Sequence, residues 1–191
     1  MAKVVIKSKV KKVKRKFPVE FVSPEYLGSK KLGSSTVTDL NSLIGKTTKI
    51  NLMYITGNTR NQNITLIFRV DEVSAGLAKT QVKSYNHIPY YLRRFVKAGS
   101  DLCEDSFVCT SKDGIEVRIK PFIITKVKVS SMVLSTLRIK TKEIITEEIS
   151  KRTYDDFISA VIAGKEQNVY KNELKKITPI KLFEFKKVEL N

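Results

Sequence analysis

Residues 1–16 hold eight lysines and arginines and no acid. Lys9, Lys11, Lys12, Lys14, Arg15 and Lys16 close that run almost without a break. Further cations come in groups. Arg93, Arg94 and Lys97 fall among Tyr91, Leu92, Phe95 and Val96. Lys126 and Lys128 stand two apart, which puts them on one face if the segment is a strand. Arg138, Lys140 and Lys142 open a stretch of helical period. The chemistry available to such groups is phosphate recognition, because Lys and Arg contacts release condensed counterions and dominate affinity. A helix N-terminus beside them adds oriented N–H groups. Over the whole chain 36 basic residues face 19 acidic ones, a formal net charge of +17. That balance repels itself unless an anionic partner neutralises it. Nucleic acid is the first partner implied and an anionic membrane surface the second.

Other chemistry has little to work with. His87 is the single histidine, so any Ser-His-Asp or Cys-His pair would have to pass through it, and its sequence neighbours offer neither nucleophile nor acid. There is no P-loop and no G-x-G-x-x-G. Cys103 and Cys109 lack the paired spacings of a four-ligand zinc site, and they read as small buried thiols. Asp155 and Asp156 have the spacing of a helix cap. Asp101, Glu104 and Asp105 read as a solvated loop. No enzyme, cofactor or metal is expected. No apolar run reaches the ~20 residues of a membrane helix, and no apolar leader follows the first cations. The expected location is the cytosol.

The elements that must carry these cations can be read from period and punctuation. Residues 1–18 form a basic N-terminal tail and residues 19–191 a single domain. Residues 17–46, broken by Pro18, Pro24, Gly28, Gly33 and Gly45, read as an irregular arm, with Asp39 capping a turn. Strand alternation follows at Ile50, Leu52 and Tyr54, at Ile64 to Val70, and at Ala78 to Val82, which gives an antiparallel meander with one buried face. Pro89 opens a short basic helix, stopped at Gly99-Ser100. Lys112-Asp113-Gly114 then turns a hairpin between Phe107–Thr110 and Ile115–Ile119, with Asp-Gly suited to a type I′ turn. After Pro121 a separate strand runs from Phe122 to Val129. From Ser135 the period becomes helical. Thr153 caps a second helix that Gly164 stops, a third runs from Glu166 to Lys176, and Ile180 to Val188 is extended. The fold class expected is α+β: a small antiparallel β-barrel over about 45–130, closed or nearly closed so as to remove exposed edges, with C-terminal helices over about 135–178 and a basic N-terminal extension. No RNP-type aromatic strand motif is present, so contacts to the backbone and shape of folded RNA are expected before base stacking.

Leu43-Ile44-Gly45-Lys46, Tyr90 to Arg94, Thr110 to Gly114 and Val117 to Lys120 occur in a particular order. Leu137-Arg138, Thr153 to Phe157 and Lys176-Ile177 before Pro179 continue it. In order and spacing, over roughly residues 20 to 188, these segments resemble the archaeal and eukaryotic small-subunit ribosomal proteins of the S-three-Ae (S-one-e) family. Lys46, Lys49, Tyr54, Tyr90 and Met132-Val133 depart from that family's usual residues, the last pair at a segment where a specific RNA hydrogen bond would otherwise be expected. The resemblance implies a barrel-centred α+β protein on the platform of the small ribosomal subunit, near the 3′ end of the small rRNA and the mRNA exit. Implied partners are the rRNA, neighbouring small-subunit proteins, and mRNA with initiation factors. Other readings of the charge are a free-standing RNA- or DNA-binding barrel, such as a chaperone or translation factor, and a peripheral membrane protein.

Overall fold

A computed structural model describes residues 16–74 and 76–191. Their elements run β1 (Phe17–Val22), β2 (Lys31–Val37), β3 (Thr47–Asn51), α1 (Leu52–Thr56), β4 (Ile64–Ser74), β5 (Leu77–His87), α2 (Pro89–Arg93), β6 (Leu102–Glu104), β7 (Phe107–Thr110), β8 (Glu116–Thr125), α3 (Ser131–Lys151), α4 (Tyr154–Ala163), α5 (Lys165–Leu174) and β9 (Ile180–Leu190). Short 3-10 turns occupy Glu25–Leu27, Leu40–Leu43 and Thr59–Asn63.

The expected meander is present. β3, β4 and β5 pair antiparallel in sequence, and Ile64, Leu66, Phe68 and Val70 alternate into the core along β4. Residues that face each other across antiparallel strands share a side of the sheet. Leu66, Tyr85, Val188, Ile119 and Phe107 therefore form one apolar row across β4, β5, β9, β8 and β7. Helices α3, α4 and α5 cover that row with Leu137, Ile145, Ile149, Phe157, Val161, Tyr170 and Leu174. α3 contributes every fourth residue, from Leu137 through Thr141 and Ile145 to Ile149, as the 3.6-residue period requires of one buried stripe.

The sheet is open, which corrects the expected closed barrel. β5 gives one edge to β4 and divides the other, pairing parallel with β1 at residues 77–79 and antiparallel with β9 at residues 84–86. Between these stretches the Val82 carbonyl accepts the Tyr154 hydroxyl at 2.8 Å. The N-terminal end of α4 thus occupies the fork between β1 and β9. β8 divides its outer edge in the same way, between β7 and β6. Closure has no driving force here, because three helices already bury the apolar face.

Several local expectations change for identifiable reasons. Residues 17–46 are mostly a bulged hairpin, β1 with β2, rather than an irregular arm. The sequence of β2, KLGSSTV, lacks the apolar alternation that announces a strand. Alternation through Leu52 and Tyr54 ends instead in α1, where the Asn51 carboxamide accepts the Met53 N–H at 2.9 Å. Leu52 and Ile55 then face inward and Tyr54 is 76% exposed. The hairpin after β7 is not a two-residue type I′ turn. It spans residues 111–115, with positive φ at Gly114 and not at Asp113. The Asp113 carboxylate is committed elsewhere, accepting the Tyr154 N–H at 3.1 Å as α4 begins. β8 runs through Pro121 without stopping. A register shift at Lys120/Pro121 absorbs the missing donor where the outer partner changes from β7 to β6. The Thr153 cap and the left-handed Gly164 stop of α4 are as expected, and so is the extended C-terminal run, here β9.

Candidate nucleic-acid interface

α2 packs on the side of the sheet opposite α3–α5. Ile123 belongs to the main core, whereas Phe122 and Ile124, pointing the other way, form a small second core with Leu92, Tyr91, Phe95 and Leu182. Pro89 sits at the first turn of α2, where its missing N–H costs nothing. Arg93, Arg94 and Lys97 are exposed on this segment. They are not equivalent. The Arg94 guanidinium lies 5.0 Å over the Tyr91 ring and 5.9 Å from the Phe95 ring, so part of its role is to pack the segment. Arg93 and Lys97 have no carboxylate within ion-pair distance among the described residues.

One buried-edge carboxylate organises the next group. The Asp101 side chain accepts the Val129 N–H at 2.8 Å, and its backbone carbonyl accepts the Thr125 N–H at 3.0 Å. Immediately before it, the Ser100 hydroxyl donates to the Lys97 carbonyl at 2.7 Å. These bonds tie the turn bearing Lys97 to the loop bearing Lys126 and Lys128. Lys126 and Lys128 lie past the end of β8, in that loop, and not on a strand face. The strand stops because Lys126 donates its N–H to the Pro179 carbonyl at 2.9 Å, and Asp101 takes the chain from there. Ser130 then caps α3, accepting the Val133 N–H. Asp101, read in the sequence as part of a solvated loop, is the clamp of this site.

α3 begins at Ser131, so Arg138, Lys140 and Lys142 lie in its body and not at its N-terminus. Arg138 and Lys142 are one turn apart on the flank that faces β6 and β7. Arg138 approaches the Cys103 thiol and Lys142 the Cys109 thiol. Lys140 lies on another flank, 3.0 Å from the Glu143 carboxylate, which raises its pKa. The structure therefore brings Lys97, Lys126 and Lys128 to the loops beside Asp101, sets Arg138 and Lys142 along the α3 flank over β6 and β7, and leaves Lys140 aside. Lys16 is exposed next to β1. Lys9, Lys11, Lys12, Lys14 and Arg15 lie outside the described residues.

A second set of cations emerges only from register. On the sheet side away from α3–α5, Thr65, Asn86, Lys187 and Lys120 face one another across β4, β5, β9 and β8. Lys49, Ile67, Ser84, Glu189 and Arg118 form the adjacent row. Glu189 neutralises Lys187, while Arg118 donates to the Asn191 carboxamide at 3.1 Å and keeps its charge. The signal in the sequence was the polar phase of each strand's alternation. Which of those positions become neighbours depends on pairings up to about a hundred residues apart in the chain.

Cys103 and Cys109 are free and buried. Burial pushes both thiols up, Arg138 opposing this at Cys103 and the Thr146 hydroxyl, 3.2 Å away, at Cys109. A raised pKa shrinks the reactive thiolate fraction near neutral pH. Both cysteines should therefore react with a disulfide reagent on the order of 100-fold more slowly in the native protein than in urea, with the native rate still climbing above pH 9. A native rate equal to the unfolded one would show that the β6–β7 edge is open. Among the described residues no cluster of His, Cys, Asp and Glu could hold a metal ion, and no helix is long and apolar enough to cross a membrane.

Comparison with known proteins bears on what this basic surface meets. The model of the family described as "Ribosomal S3Ae family" matches residues 5–191. A protein of Archaeoglobus fulgidus named small ribosomal subunit protein eS1 is 29% identical over 172 residues, covering 88% of this chain and 81% of its own length. Proteins of the same name from Haloquadratum walsbyi and Methanococcus vannielii are each 26% identical, covering 88% of this chain and 80% and 76% of their own lengths.

Proposed function

We propose that this chain, which belongs to the Ribosomal S3Ae family and is a structural component of the small ribosomal subunit, holds rRNA through the basic end of its sheet. As a ribosomal component it acts in translation, in the cytoplasm. Lys97, Lys126, Lys128, Arg138 and Lys142 form the centre of the proposed contact, with Arg93 and Arg94 beside it. Lys9 to Lys16 extend it as a basic tail on a domain that runs from residue 19 to 191. Lys140, already paired, is dropped from the set. The carrying observation is that these described cations are exposed and have no carboxylate partners among the described residues, while the nearby Asp101 and Glu104 are already engaged, by the Val129 N–H and the Lys186 ammonium. Such charge favours an external polyanion, whose condensed counterions it would release. A structural role, without catalytic activity or a cofactor, is read from the family and its named relatives. The exposed Met132 and Ile139 on α3 are suited to a neighbouring small-subunit protein. A place on the platform near the mRNA exit, with contacts to mRNA and initiation factors, extends the same reading.

Sedimentation of the native protein in a cell extract tests this directly. It should migrate with the small subunit in low salt and stay there in moderate salt. Migration as a small free species would sink the ribosomal assignment and favour a free-standing nucleic-acid binder.

A further inference from the structure

β5 and β9 bond to each other only at residues 84–86 and 187–189. Beyond Asn86 they part, and a cavity of about 830 Å³ opens in the gap. This lies within the ~300–1,000 Å³ typical of sites for small ligands. Seven segments build it: the turn at Tyr26–Lys30, the end of α1 with the following 3-10 turn, the start of β4, the end of β5, α2 through Tyr91, the α4–α5 junction and the start of β9.

Three properties of the lining point to one kind of occupant. The floor is apolar and aromatic. Ile55, Ile64, Val161 and Phe183 line it, and the His87 and Tyr91 rings stack at 5.9 Å with 13° between their planes. The rim is cationic. Arg60 has no carboxylate partner among the described residues. The Lys30 and Lys171 ammonium groups are held by backbone carbonyls, of Ile55 at 2.6 Å and Lys181 at 2.7 Å, so they are positioned but not neutralised. α5 begins at the same rim with no side-chain cap on its first N–H groups, which adds positive potential. Finally, polar atoms without protein partners concentrate here. Two buried side-chain atoms of lining residues, His87 Nδ1 and Gln167 Oε1, lack a protein partner. His87 is 7% and Gln167 6% exposed. Leaving such groups unpaired is costly enough that native structures seldom do it. Glu184, 3.6 Å from His87 Nε2, is the one acid in the lining.

A flat apolar slot, neutral hydrogen-bonding groups within it and cations at its mouth match a base, its edge and its phosphate. We propose that this cavity receives a single unpaired nucleotide of the bound RNA. Its base would lie against the His87–Tyr91 wall and its phosphate between Arg60 and the start of α5. This rests on the rRNA-binding reading above and adds base recognition, which no linear motif announced. Aromatic stacking of an unstacked base is the usual route by which proteins read single-stranded RNA.

His87 is the only histidine, so its imidazole resonances report on this cavity without ambiguity. The full-length protein would be titrated with a short single-stranded oligoribonucleotide, an RNA duplex and nucleoside monophosphates. The single strand should move the His87 resonances in step with binding, whereas the duplex binds the basic surface and leaves them in place. Arg60→Gln and Asn168→Ala alter exposed positions of the lining. Arg60→Gln should weaken single-strand binding by about 10-fold and duplex binding hardly at all, one phosphate contact being lost. Saturation by single strand with His87 unmoved would overturn the proposal and leave the basic-surface reading standing. Monophosphates binding as tightly as the strand would overturn it in favour of a free-nucleotide site. Failure of every RNA to bind would remove both readings.

Discussion

Replacing Lys97, Lys126 and Lys128 together by Gln should weaken rRNA binding about 500-fold at ~0.1 M salt and reduce the slope of log K against log salt by about 2.7, since each phosphate contact contributes ~0.9. The expectation follows from the Asp101 clamp, which brings these three exposed side chains together on two loops. Because these exposed side chains join no hydrogen bond or ion pair among the described residues, the melting temperature should not move. Lys140→Gln is the matched control: its charge is already met by Glu143 at 3.0 Å, and it should leave the slope unchanged. If the triple variant retained the parental slope, rRNA would lie elsewhere, with the Arg118–Lys120 side of the sheet the next surface to test. Asp101→Ala asks the same question through position alone. It keeps all three charges but frees the loop, so affinity should fall while the number of contacts, and hence the slope, changes less. Arg94 is unsuited to this test, because it stacks on Tyr91 and its loss also costs ~0.5–1 kcal/mol of packing.

The largest effect on stability is expected at Phe185. This ring is fully buried and touches three other aromatics, Phe183 at 5.5 Å, Tyr170 at 5.9 Å and Phe157 at 6.1 Å between centroids. It joins β9 to α4 and α5 at the middle of the main core. Truncation to Ala removes the transfer energy of the ring and leaves a cavity that aromatic neighbours on three elements cannot collapse to fill, a loss of about 3–5 kcal/mol. Against a total of ~5–15 kcal/mol for an ordinary domain, that is a large share. The urea midpoint should drop accordingly with an unchanged m value. A loss below about 1 kcal/mol would mean that the helical layer is not seated on β9 as described. Phe185→Leu, which keeps much of the volume, should recover a good part of the deficit.

Much of this protein is legible along the chain. The sign of the partner follows from the charge, because +17 on 191 residues favours an outside anion whatever the fold. The meander β3–β5, the α4 cap at Thr153 and its stop at Gly164 depend on neighbours within a few residues, and local sterics and hydrogen bonding decide them. The order of segments from Leu43 to Pro179 carried the family resemblance for the same reason, since spacing is a one-dimensional property. What failed was whatever long-range pairing decides. A period of two at Ile50–Tyr54 could not show that Asn51 would cap a helix. Asp113-Gly114 could not show that Asp113 would be taken by Tyr154, forty-one residues on. Closure of the sheet was expected from strand number alone. Whether it closes depends on β5 dividing its edge between β1 and β9, strands from opposite ends of the chain. The cations divide the same way. Their number was set by composition and the pairing of Lys140 with Glu143 by spacing within one helix, but the assembly of Lys97 with Lys126 and Lys128 and the rows through Lys120 and Arg118 were decided by tertiary contacts, because charge acts through space and the distance between two charges is not a property of either segment.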